Sequence, residues 1–505
     1  MRIATIALFS ILIAVSCLSC TDSQQIKSAD LSESLKGSLV CLKVSVGGYE
    51  QIQPWKQAPV REAGGYGCAV GPYEVLTTAE NVVNATMIQV RRHGKNEFIP
   101  AMIKVVDYEA NLCLLELDKA LAGGPMEPIR FAGRYVKSAE TSSYWLSSGG
   151  HLTSGRGYMD RASCTNNPVS WTRNLTFIAS NTSRATGNAE LYCLGKEPVG
   201  IACWAGDNEA GIIPPECINA FLDQVRSGEY KGFGLAGFEL TPLLDPAVRK
   251  FLKMPSDMNY GALVSKVYAL GSGSDVLKTG DVVLAIDGKN LNPYGRYMHP
   301  EYDRLSFEHL IASGIEGDSL RFEVFREGQK QELEVKVRRF SAGDMLVPYY
   351  EYGTQPEYIV TGGLVFQKLT RDYFGLWGEN WPGKVPPHLY NYYAQESFNP
   401  SYTRRDVVIL SYVLPARINQ GYQQLGRMVV KSFNGKEIKA LEDILQAQKT
   451  PHQSGFNVVE FELDSPKIVL DRSQLASADA QIAQSYGITK MSNTGSELGE
   501  QQLDQ

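Results

Sequence analysis

Three short stretches hold side chains that could do chemistry, each set in an apolar or glycine-containing frame. "VLTTAENVVNA" (75–85) carries Glu80, "VVDYEANLCLLELD" (105–118) carries Asp107 and Asn111, and "ATGNAEL" (185–191) carries Thr186, Gly187 and Glu190. A carboxylate such as Glu80 can act as a general base, and a hydroxyl such as that of Thr186 is a nucleophile once a base takes its proton. Two facing carboxylates, for which Glu80 and Glu190 are the candidates, are what glycoside hydrolysis requires. His93 and His151 lie in no motif and read as surface histidines. There is no HExxH motif, phosphate-binding glycine loop or cysteine–histidine cluster at metal spacing, so neither metal nor cofactor is expected.

Such groups act only if a fold brings them together. From residue 38 to about 225 the chain is a series of short β-branched or alternating runs, among them "SLVCLKVSV", "YEVLTTA", "AMIKVVDY" and "LCLLELD". Strands at this spacing predict an all-β barrel or sandwich. "PPECINAFLDQVRSG" then reads as a closing helix, with proline at its start and Gly228 just past its end. From Gly232 the pattern changes to "FGLAGFELTPL", "GALVSKVYALGSGSDVLKTGDVVLAIDGKNL", a helix-like "SFEHLIASG", and two alternating strands across a turn at Glu327-Gly328. A block from about Leu346 repeats that order, so the two read as divergent copies of one module of about a hundred residues. The second copy carries an insertion, "RDYFGLWGENWPGKVPPHLYNYYAQESF", whose aromatics read as packing and whose prolines exclude one continuous helix.

The bulk numbers agree with a folded, multidomain chain. At 505 residues it exceeds what one core can serve, and 43% hydrophobic with 21% charged residues is ordinary for globular protein. A net charge of −6 argues against a nucleic-acid binder and for protein or peptide partners. The leader "MRIATIALFSILIAVSCLSCTDSQQ" has the layout of a secretory signal, with an apolar run too short to span a bilayer. Cys20 after Leu18-Ser19 is the expected lipidated first residue; a cleaved signal with incidental cysteines is the alternative. The remaining seven cysteines all precede residue 220, an odd number that leaves at least one unpaired in a monomer, and buried thiols are the other reading. Sequons stand at Asn84, Asn174 and Asn181.

The first block resembles the trypsin-like domain of the HtrA/Deg proteases, and the two copies after it resemble PDZ domains. The resemblance rests on "GCAVGPYEVLTTAENVV", "VVDYEANLCLLELD" and "ATGNAELYCLGKEPVGI" in that order, and on "VLKTGDVVLAIDGKNL" and "GGLVFQKLT". The last two, with the Tyr- and Trp-rich insertion and "LDRSQLASADAQIAQSYGI", are most like the plant-type branch with two PDZ domains. It implies a mainly β fold with some α: a double β-barrel followed by two PDZ-like α+β domains. Expected boundaries are a signal at 1–20, a linker at 21–37, the barrel domain at 38–228, PDZ modules at 232–340 and 346–490, and a loose tail at 491–505.

The same resemblance puts Glu80 where the family has its catalytic histidine, Asn111 at the aspartate and Gly187 at the serine. A serine protease needs all three groups. Thr186 is displaced by one residue, and Glu190 would set a carboxylate beside the oxyanion site. In a PDZ domain a peptide adds as a strand while loop N–H groups hold its carboxylate. Phe233, Gly234, Leu235, Ala236, Gly237 and Phe238 form the expected first loop, with Leu235 and Phe238 shaping an apolar pocket; Gly362, Gly363 and Leu364 form the second, which the aromatic insertion could cover. The expectation is an exported, lipid-anchored pseudoprotease of the bacterial envelope that binds polypeptides or protein C-termini and self-associates as the family does. An active serine endopeptidase and a structural envelope protein with closed PDZ grooves are the alternatives. Mass spectrometry of the mature N-terminus is expected to find acyl groups on Cys20; an unmodified N-terminus beyond that residue would remove the anchor.

Overall fold

In the computed structural model the described residues are 31–495, apart from 181, 183, 184, 402, 451, 453, 464 and 465. The leader with Cys17 and Cys20, Asn181 and the end of the tail therefore lie outside them. The first twelve strands make two closed six-stranded barrels. Strands β1 (Leu39–Val46), β2 (Arg61–Gly71), β3 (Glu74–Thr77), β4 (Ala85–Arg92), β5 (Ile99–Asp107) and β6 (Leu112–Leu117) close in the order β1-β2-β3-β6-β5-β4. Strands β7 (Glu140–Leu146), β8 (Leu152–Asn166), β9 (Arg173–Ser180), β10 (Leu191–Leu194), β11 (Glu197–Ala205) and β12 (Glu209–Ile213) close as β10-β11-β12-β9-β8-β7. Alternation sends Val40, Leu42 and Val44 of β1 inward against Val75, Val90 and Leu115, and closure leaves no sheet edge. Helix Pro215–Ser227 follows, with Pro215 at its first turn and Gly228 as a left-handed cap, as its sequence predicts.

The next strands are β13 (Phe238–Thr241), β14 (Ala262–Val267), β15 (Val282–Ile286), β16 (Lys289–Asn290), β17 (Arg296–His299), β18 (Asp303–Ser306), β19 (Ser319–Arg326) and β20 (Gln329–Lys336). One sheet runs β13-β14-β15-β19-β20 with β16 on β15, and β17 pairs with β18 as a separate hairpin. Asp287-Gly288 and Glu327-Gly328 both take left-handed conformations that turn their hairpins. The second copy has β21 (Tyr358–Thr361), β22 (Leu364–Lys368), β23 (Val408–Val413), β24 (Met428–Phe433), β25 (Lys436–Glu437), β26 (Phe456–Phe461), β27 (Ile468–Asp471) and β28 (Ser492–Asn493). Its sheet runs β27-β26-β24-β23-β22-β21-β28, with β25 on β24. The aromatic insertion packs inward, burying Phe374 and Tyr373 with Leu389 and Val407, and Arg371 sits 4.8 Å from the Tyr349 ring.

The chain divides into two compact units that do not follow the three sequence blocks. Residues 47–61, between β1 and β2, belong with the PDZ-like modules, and residues 296–313, inside the first module, belong with the barrels. In the second unit Trp55 lies 5.8 Å from Tyr358 and its indole N–H donates to the Tyr486 carbonyl. Phe398 of the insertion packs 4.9 Å from Tyr268 and 5.8 Å from Phe340, joining the two modules. All seven cysteines among the described residues are free thiols, six of them buried. Burial pushes them up, Cys164 to about 11 and Cys193 to about 12, which makes them poor nucleophiles.

The turn "KTGDVV" has a further anchor. Asp281 is buried, takes both guanidinium contacts of Arg326 at 2.7 Å and accepts from the Lys278 N–H at 2.8 Å. Asp281→Ala strands a half-buried guanidinium and is expected to destabilise the second unit by roughly 3–5 kcal/mol. Hydrogen exchange across Val282–Ile286 checks this; unchanged protection would mean the pair contributes little.

Candidate functional site

The 3₁₀ turn Ala79–Val82 after β3 carries Glu80, and the tight turn between β5 and β6 carries Asn111. Asn111 is left-handed (φ 53°), which asparagine tolerates, and is buried. Its Oδ1 accepts from the Glu80 backbone N–H at 3.0 Å, so these two positions are brought together. The amide nitrogen of Asn111 and the hydroxyl of Thr78, both buried, have no partner among the described residues. The Glu80 side chain is exposed, yet enough protein surrounds the carboxyl that desolvation raises its pKa. Asp107 is engaged below this pair, where its carboxylate accepts from the Ala110 N–H and the Tyr230 hydroxyl and closes the turn beneath Asn111.

The loop 185–190 is built around Glu190. That residue is fully buried; one carboxyl oxygen accepts from the Thr186 N–H (2.6 Å) and hydroxyl (2.7 Å), the other from the Asn188 N–H (2.9 Å). Gly187 and Ala189 are both left-handed, at φ 77° and 71°. A Cβ at Gly187 would stand 2.5 Å from the Trp204 carbonyl carbon and 2.6 Å from the Ala205 nitrogen, so the loop lies directly against the β11 backbone. The Asn188 carbonyl accepts from the Tyr66 N–H and from the Asn81 side chain, which also donates to Thr77. Asn81, passed over in the sequence, is thus the link between the Glu80 turn and this loop; only its place beside Glu80 could have marked it. Burial, then the Glu190 carboxylate, pushes the Tyr66 hydroxyl up.

Two alternative chemistries that these residue types could offer find no support in the geometry. Glu190 is enclosed by its own loop and is not a second acid offered to a substrate, so paired-carboxylate chemistry with Glu80 lacks its partner. The Thr186 hydroxyl donates to Glu190, and no imidazole is hydrogen-bonded to it among the described residues. Neither the His93 nor the His151 ring is hydrogen-bonded to a serine hydroxyl among the described residues of 38–225, and no His/Cys/Asp/Glu group fit to hold a metal occurs among them. Asn174 donates to the Glu109 carbonyl.

The peptide loops differ from each other and from expectation. In the first, the N–H groups of Gly234, Leu235 and Gly237 donate to the carbonyls of Gly314, Arg338 and Ser272, which leaves Ala236 as the uncommitted amide of the four among the described residues. Leu235 and Phe238 are buried, Phe238 against Phe322. β13 nevertheless ends its sheet, so one edge of it carries no strand. In the second, Gly362-Gly363 is a two-residue turn with both φ positive, and β21 folds back onto β22, whose other edge holds β23. The Gly362 N–H donates to Asp479 of helix Arg472–Tyr486 at 2.6 Å, and Asn419 donates to the Gly362 carbonyl. Burial pushes Asp479 up to about 6 although that N–H and the Thr361 hydroxyl favour its charged form. The cover is the module's own strand and helix, where the sequence suggested the aromatic insertion.

A PDZ domain model matches residues 347–494. Among curated proteins, Protease Do-like 2, chloroplastic, from Arabidopsis thaliana is 27% identical over 445 residues, 86% of this chain and 71% of its own. Protease Do-like 4, mitochondrial, from the same plant is 27% identical over 330 residues, 64% of this chain and 62% of its own. Among solved structures, one described as HtrA-type protease AlgWS227A with decapeptide is 17% identical with a TM-score of 0.48, covering 62% of this chain and 97% of that one. Over most of its length the chain is thus similar to Do-like proteases of the HtrA/Deg kind, and its two closed barrels are followed by a C-terminal PDZ domain.

Glu190→Ala would remove the acceptor of two amides and a hydroxyl on the exposed Thr186 and half-buried Asn188, each lost bond costing about 1 kcal/mol. Amide exchange at Thr186 and Asn188 is expected to speed up well ahead of the barrel strands. Unchanged exchange at both would mean that another group holds the loop.

Proposed function

We propose that this chain is an exported HtrA/Deg-type pseudoprotease that binds polypeptides through its first PDZ-like module and does not cleave them. The observation that carries this reading is the loop 185–190, where the serine position is Gly187 and a buried carboxyl holds the neighbouring amides. Hydrolysis needs a hydroxyl, an imidazole and amides turned toward a developing oxyanion. Glu80, Asn111 and Gly187 supply none of the three side chains, and Glu80 is a weak base beside a histidine even with its raised pKa. Binding falls to β13, whose open edge suits an extended segment, with the Ala236 N–H as its one ready amide. A scaffold, sensor or chaperone-like role in the bacterial envelope, with an anchor at Cys20 and self-association as in the family, follows from this reading. The covered β22 favours the closed-groove alternative for the second module alone.

Two assays test it. The purified protein is expected to leave fluorogenic casein intact and to take no label from a serine-directed fluorophosphonate; cleavage blocked by a label on a serine within 38–225 would make it a working protease. Gly187→Ser, alone or with Glu80→His and Asn111→Asp, is expected to stay inactive because its Cβ has no room against Trp204. Peptides with a free C-terminal carboxylate should bind about tenfold better than amidated ones, the worth of one charge-assisted bond. Equal binding would mean that β13 takes internal segments or is not the site.

A further inference from the structure

The hairpin β17–β18 and helix Glu308–Ala312 lie between β16 and β19 in sequence, yet residues 296–313 belong to the barrel unit. Their docking is unusually rich in titratable rings. Tyr302 is buried against Tyr135 (5.7 Å) and Phe177 (5.4 Å), and its hydroxyl donates to Glu216 at 2.5 Å. His299 stacks on Tyr302 at 4.3 Å and 5°, and its Nδ1 accepts from the N–H groups of Glu301 (3.2 Å) and Tyr302 (3.3 Å). His309 is 2.6 Å from the Tyr297 hydroxyl through Nδ1 and 4.0 Å from Glu216 through Nε2.

We propose that residues 296–313 form a clasp on the second barrel that acid releases, with His309 as its proton-sensing residue and His299 as the acceptor that closes its turn. An imidazolium carries hydrogen on both ring nitrogens and accepts nothing. Protonated His299 therefore loses the two amides that close the turn 300–302, the turn that presents Tyr302 to Glu216. Protonated His309 can only donate to the Tyr297 oxygen, which leaves the buried Tyr297 hydroxyl hydrogen without an acceptor there.

One interaction opposes this, because Glu216 could reward a charged His309. The two groups' surroundings decide against it. From its own segment His309 faces Tyr297, His299 and Glu308; from the barrel it faces Glu216 and Cys164, while Arg173 is already paired to Glu308 at 3.3 Å. Burial, then His299, lowers His309 from 6.5 to about 4, and burial raises Glu216. By the pH that charges His309, Glu216 is losing its own charge, so the pair does not form. The released segment takes protons below 6.5 and the docked one only near 4, so docking is full above 6.5 and weakens as pH falls between those values. At pH 5 the shift amounts to on the order of tenfold or more in the docking equilibrium.

The inference stands whether or not the barrel cleaves peptides. Hydrogen exchange of the full chain at pH 7.5 and pH 5, corrected for intrinsic rates, reads it directly. Peptides spanning 296–313 are expected to lose at least about tenfold in protection at pH 5 while β8 and β9 keep theirs. The pair His299→Asn and His309→Gln, which cannot charge, should hold protection at pH 5. Retained protection in the wild type, loss in step with the whole barrel, or the same acid loss in the double variant would each overturn the clasp. If the variant is unfolded at pH 7.5, the wild-type profile alone decides, since only a selective loss with a midpoint between 4 and 6.5 fits.

Discussion

The arrangement of loop 185–190 depends on one buried carboxyl. Glu190 is buried away from bulk solvent, and its two oxygens take their donors from the amides of its own loop. Drawing Thr186 and Asn188 inward forces the residues between and after them into left-handed conformations, which explains Gly187 and, with strain, Ala189. The Asn188 carbonyl is then turned out toward Tyr66 and Asn81, and the turn carrying Glu80 is tied down by the same contact. Loop 185–190 is therefore organised from within by one carboxyl, which also fixes its contact with the Glu80 turn.

The two PDZ-like copies show how a small difference in chain path redirects a binding edge. Both begin with a glycine-containing entry to the strand that would accept a peptide. In the first, the entry spends most of its amides on carbonyls of Gly314, Arg338 and Ser272, and β13 is left as an end strand. In the second, four extra paired residues precede the glycines, and the type of turn made by Gly362-Gly363 lays them along β22. No Cβ fits at either glycine, since Leu470 stands 2.4 Å from one position and Asn419 2.3 Å from the other. An open edge and a filled one follow from the same motif.

Local chemistry made much of this legible in sequence. Pro215 and Gly228 bracket their helix, Asp287-Gly288 and Glu327-Gly328 turn their hairpins, and alternating strands close into barrels. What the sequence could not carry are contacts between residues far apart in the chain. Nothing in "PWKQ" says that Trp55 will meet Tyr486, nor in "YMHPEYDR" that the hairpin will lie with the barrels. At the candidate site the resemblance singled out Glu80 and Asn111, which the fold brings together, whereas the inward turn of Glu190 depends on the burial of one side chain, which periodicity does not encode.

The barrel core does not depend on the polar groups at the rim of its cleft. A triad is a set of polar groups at the rim of a cleft, and the barrel core is apolar: Val40, Leu42, Val75, Val90 and Leu115 pack together without reference to it. Replacing rim groups changes no core contact, so stability places little constraint on their identity. The rim is therefore open to any arrangement that satisfies its buried polar atoms. Glu190 is one such arrangement, because its carboxyl makes the Thr186 and Asn188 amides part of the fold. Changing one side chain at the rim would leave that buried carboxyl still holding the loop.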